Sequence, residues 1–114
     1  MRIESLFTEE IASKPNPMPV VGIDGTDTGE TIDVTTFRSK AFIEAHNRAA
    51  ARSGDPIQMS NPDVVQSLIV SWSFEDDCSK ENKIRLLNQA AYLIDQIVAF
   101  SHRKSEELFS KKKP

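Results

Sequence analysis

The chain has 114 residues, 39% of them hydrophobic, and its 14 Lys and Arg against 17 Asp and Glu leave a formal charge of −3. That length suits one domain, or a domain with a flexible end, whose modest core leaves much surface open to copies of itself or to a partner. The acidic balance argues against non-specific nucleic-acid binding, the single cysteine, Cys78, excludes an internal disulfide, and no run approaches the roughly 18 apolar residues of a membrane span. Glu9 and Glu10 near the N-terminus do not suit a signal peptide, so a soluble, cytosolic protein is expected.

Ile3, Leu6, Phe7, Ile11 and Ala12 are spaced for a short helix, although Thr8-Glu9-Glu10 equally suits a cap that starts a single turn; Lys14-Pro15-Asn16-Pro17-Met18-Pro19 then ends any helix as a proline spacer. Val20-Val21-Gly22-Ile23 and Thr31-Ile32-Asp33-Val34 read as two strands. The Asp24–Glu30 loop between them contains Asp-Gly, a strong hairpin signal. This loop is acidic, but a calcium loop counted from Asp24 would need a bidentate glutamate at its twelfth position, where Thr35 stands. The glycines Gly22, Gly25 and Gly29 fit neither a dinucleotide fingerprint nor a phosphate loop.

A helix is expected from Thr35 or Thr36, carrying Phe37, Ala41, Ala45 and Ala49 at four-residue spacing and stopping at Ser53-Gly54-Asp55-Pro56. Asn61-Pro62-Asp63 is a strong helix start, and Val64, Val65, Leu68, Ile69 and Trp72 continue it as a broad apolar face to Ser73. An acidic break carrying Phe74, Glu75, Asp76, Asp77 and Cys78 follows. Ser79 then caps a long amphipathic helix whose stripes hold Ile84, Leu87, Ala91, Ile94 and Val98, and Leu86, Ala90, Leu93, Ile97 and Phe100. His46, His102, Cys78 and Ser71 have no local arrangement that would make a metal site or a catalytic triad. The residues therefore indicate a mainly α fold of about three to four helices with a short N-terminal β-hairpin. Its division is an arm and spacer over 1–19, one helical domain over 20–109 and a basic tail over 110–114. No enzyme activity, cofactor or metal is expected.

Trp72-Ser73-Phe74, the acidic residues after it, and the run from Glu81-Asn82-Lys83-Ile84-Arg85 to Ile97 resemble the tail assembly chaperones of long-tailed, lambda-like bacteriophages. The likeness extends to Asp33–Ala41, with its Phe37-Arg38 helix start, and so covers about residues 31–109. Many members of that family carry a proline where this chain has Ala91, and without it the helix reads on through residues 89–91. The resemblance implies a mostly helical, non-virion protein of the host cytoplasm that binds the tape measure protein and keeps it soluble while tail tube subunits polymerise around it. It also implies a longer product made by ribosomal frameshifting, for which the codons of Lys111-Lys112-Lys113 offer a slip site. The expected partners are the tape measure protein, the tail tube protein and further copies of the chain, with neither nucleic acid nor membrane among them. Trp72, Phe74, Leu93, Ile97 and Phe100 are the candidate interaction residues. The alternative is a small cytosolic protein-binding adaptor or regulator, although the acidic connection between the last two predicted helices does not suit a DNA-reading helix pair.

Overall fold

The computed structural model describes residues 1–6, 9–54 and 59–109. It contains three antiparallel strands as well as helices, with 54% of the described residues helical and 18% in strands. The fold is therefore mixed α and β, which corrects the expectation of a mainly helical domain with only a hairpin. Strands β1 (Asn16–Val21), β2 (Asp27–Val34) and β3 (Ile69–Trp72) form one sheet in the order β1-β2-β3.

The proline stretch is the first local surprise. Instead of a spacer it is the edge strand β1, which crosses the expected boundary at residue 19. Thr31, opposite Pro19, turns its amide to Ser73 Oγ (2.8 Å) and its carbonyl to the Ser73 amide (3.0 Å). Both Thr31 groups thus face β3, and Pro19 needs no donor toward β2. Pro17 has the same phase, so the two prolines lack only the outward N–H groups of an edge. Met18 and Val20 alternate with them and are buried. Pro17→Thr/Pro19→Thr is expected to alter stability by no more than about 1 kcal/mol while producing larger species in light scattering. Unchanged scattering would remove this reading of the edge.

The Asp24-Gly25 turn forms as expected, with Gly25 at φ 86° and the Asp24 carboxylate accepting from the Thr26 amide (3.0 Å). β2 begins closer to it than expected, at Asp27 rather than Thr31, while β1 ends earlier, at Val21 rather than Ile23, leaving 22–26 as the connection. Near the N-terminus, a 3-10 turn (Ile3–Leu6) and helix α1 (Glu9–Ala12) lie where one short helix was expected; Phe7 and Thr8 fall outside the described residues. Helix α2 (Lys40–Ser53) begins later than expected, because Ser39 rather than a threonine caps it, accepting from the Phe42 amide (3.4 Å). Thr35 and Thr36 are buried at the end of β2, bonded instead to the Leu68 carbonyl and to the Ala12 carbonyl. Gly54 closes α2 at φ 75°, as its position predicts; the Asp55-Pro56 stop lies outside the described residues.

The largest revision concerns residues 61–73. Asn61 caps a helix, accepting from the Asp63 amide (3.0 Å), but α3 (Pro62–Val65) lasts one turn and passes through a 3-10 turn (Gln66–Leu68) into β3. Helix α4 (Lys80–Gln89) starts at Ser79 as predicted. It then breaks at Ala90 (φ −125°, ψ 62°) before α5 (Tyr92–Phe109), so one expected helix is two, even without a proline.

Buried side chains from one sheet face (Met18, Val20, Ile32, Val34) meet Leu87, Leu93, Ile97 and Phe100 from the last two helices. Phe42, Ala49, Val64, Val65, Leu68, Ile69 and Ile94 belong to the same core. Two polar ties set how α5 lies along the sheet: Gln96 bonds the amide and carbonyl of Val21 (3.4 and 3.0 Å), and Ser101 Oγ donates to the Thr35 carbonyl (2.7 Å). Among the described residues no helix is long and apolar enough to cross a membrane.

Candidate functional site

The strand β3 delivers Trp72 to the edge of the core, and the loop after it turns Phe74 back against the indole. Their ring centroids are 5.3 Å apart at 74°, an edge-to-face pair. The indole N–H donates to the Asp76 carbonyl (2.7 Å), which ties the loop to the aromatic pair. Ser71 Oγ donates to Asp33 (2.6 Å) and Ser73 Oγ to Glu30 (2.7 Å), anchoring the same segment to β2. On the other side Asn82 Nδ2 donates to the carbonyl (2.9 Å) and side chain (3.2 Å) of Asp77, fastening the loop to the first turn of α4. Between loop and helix lies a groove of about 240 Å³ with Trp72, Phe74 and Leu86 as its apolar walls and Asp76, Arg85 and Gln89 around them. Trp72 and Phe74 are only half-buried.

The five candidate interaction residues do not form one surface. Leu93 is 2% and Ile97 0% exposed, so both are core. The width of their helical stripe reflects burial against the sheet on one side and α3 and α4 on others. Phe100, 8% exposed, is also core. Its ring lies under Arg103 and Lys104 (5.8 and 5.7 Å from the centroid) and borders a shallow hollow with Phe37, Met18 and Val98. Sequence reasoning missed this hollow because it assigned Phe37 to a helix and Met18 to a spacer. Only Trp72 and Phe74 therefore remain as a pair that both touches the core and faces outward.

The candidate reactive side chains each have a structural partner. Cys78 Sγ lies 3.9 Å from the Val70 carbonyl, and burial pushes its thiol up; Lys83 opposes this and Asp77 and Asp33 add to it. A raised thiol pKa makes a poor nucleophile at neutral pH. Ser71 bonds Asp33, His102 pairs with Glu106 (3.4 Å), and His46 lies against the Phe42 ring (5.8 Å). In the hairpin, hydrogen bonds from the Thr26 backbone and side chain hold Asp24 below the ordinary carboxylate range, while Asp27 accepts from the Gly29 amide (2.9 Å). Both carboxylates shape the turn. Among the described residues no group of three His, Cys, Asp or Glu side chains could hold a metal ion.

No protein-family model matches the chain, and no curated protein or solved structure is similar to it.

Proposed function

We propose that this chain is a tail assembly chaperone that binds the tape measure protein in the host cytoplasm and keeps it soluble while the tail tube polymerises. The observation that carries the reading is the partly buried Trp72–Phe74 pair over an apolar groove. The residues that resemble the chaperone family, Trp72-Ser73-Phe74 and the start of α4, are the ones that build this groove. The reading rests on that groove and no longer on a wide helical face, since Leu93 and Ile97 are core.

A tape measure protein is a long helical chain with recurring apolar stripes. A groove that accepts one turn of an amphipathic helix suits such a client, and several copies along one client add avidity without new contacts. The tail tube protein is the second partner of this reading, reached through a longer frameshifted product.

The test is co-expression with a fragment of the tape measure protein from the same genome. The chain is expected to raise the soluble fraction of that fragment several-fold, and Trp72→Ala/Phe74→Ala is expected to lose the effect while keeping its circular dichroism spectrum. Equal solubility with and without the chain would sink the proposal.

A further inference from the structure

The size and rim of the Trp72–Phe74 groove restrict what enters it. At about 240 Å³ it lies below the roughly 300–1,000 Å³ of small-ligand pockets. One large apolar side chain from a partner suits it better, in the manner of an interface anchor. Its rim is unevenly charged. Glu75, Asp76 and Asp77 are exposed on the loop, and among the described residues none of their carboxylates is in an ion pair. A fourth carboxylate, Glu30, accepts from Ser73 Oγ at the start of the same loop. Of the nearby cations, Lys80 is held by Asp63 (3.5 Å) and Lys83 borders a different hollow with Val70. That leaves Arg85, on the α4 wall, as the cation among the groove-lining residues.

We infer that the groove takes one turn of a basic amphipathic helix from another protein. A large apolar side chain of that helix fills the space between Trp72, Phe74 and Leu86, and its lysines or arginines lie over the Glu75–Asp77 loop. Arg85 then meets an acid or the negative, C-terminal end of the bound helix. The inference rests on the groove being the client site and adds the chemistry of the client: opposite charges across the rim raise the encounter rate and exclude acidic helices.

Trp72 is the single tryptophan of the chain, so its emission reports on the groove directly. The probes are two synthetic Trp-free amphipathic peptides of about five turns, one of leucine and lysine, the other of leucine and glutamate. The leucine/lysine peptide is expected to shift Trp72 emission to shorter wavelength in a saturable way, and the leucine/glutamate peptide to leave it unchanged. Raising salt from about 50 to 300 mM should weaken the first by at least about 3-fold. Glu75→Gln/Asp76→Asn/Asp77→Asn, near-isosteric and able to keep the bond from Asn82, should weaken it as much. Glu106→Gln/Glu107→Gln, which removes acid from α5, should leave it unchanged, and Leu86→Ser should remove the shift. Equal responses to both peptides, no response to either, or equal weakening by the α5 variant would overturn the inference. If the peptide results hold but co-expression does not solubilise the tape measure fragment, the chaperone reading falls and the basic-helix surface stands. If co-expression succeeds but ignores both salt and the neutralised loop, this inference falls and the chaperone reading stands.

Discussion

Ile97→Ala is expected to destabilise the protein by about 2–5 kcal/mol, a large share of the roughly 5–15 kcal/mol that holds a typical domain together. Ile97 is 0% exposed and sits where α5 meets the sheet, among Ile32, Val34, Leu87 and Leu93. Truncating it removes apolar contact and leaves a void that α5, tied to the sheet by Gln96 and Ser101, cannot close by shifting. Urea unfolding followed by far-ultraviolet circular dichroism measures the loss. Trp72→Ala is the counterpart: its side chain is only partly buried at the edge of the core, so its stability cost should be smaller while its effect on client binding is larger. A loss under about 1 kcal/mol for Ile97→Ala would mean the core is packed elsewhere.

Ser101→Ala carries the second large expected effect, about 1–3 kcal/mol for the loss of a buried hydrogen bond whose carbonyl partner stays in place. Ser101 is fully buried, and its hydroxyl is bonded at 2.7 Å to the Thr35 carbonyl. Thr35 in turn bonds Leu68 through its amide (2.8 Å), so this one serine secures the end of β2 to α5 beside the entry to β3. Hydrogen exchange is the discriminating measurement. Protection should fall most at the amides of Thr35 and of β3, and a uniform loss over the whole chain would instead indicate a general packing defect.

The two side chains differ in how far they could be read in advance. Ile97 lies on a helical apolar stripe, and periodicity marks it as either core or interface; only the sheet beneath it decides for core. Ser101 lies in the same helix with no sequence mark at all, because a serine on a helix is ordinarily exposed and its partner is 66 residues away. Trp72 and Phe74 stand out in the sequence as aromatics beside an acidic run. The groove between them and Leu86 depends on the angle at which α4 leaves the loop.

The local chemistry of this sequence determined several of the places where elements begin and end: the Asp24-Gly25 turn, the Ser79 and Asn61 caps and the Gly54 stop all lie where their residue types require, since caps and turns depend on bonds to close neighbours. Tertiary structure alone decided what runs between those signals. Val64, Val65, Leu68, Ile69 and Trp72 have the spacing of a helix, yet Ile69–Trp72 extends because β2 offers a second edge that a helix cannot pair with. The alternating prolines look like a spacer until β2 lies beside them and needs no donor from Pro17 or Pro19. Ala90 carries no break signal, yet the backbone turns there (φ −125°, ψ 62°), and Leu87 before the turn and Leu93 after it are buried in the same core. Local hydrogen bonds set those caps and turns, and burial of one shared apolar face set the rest.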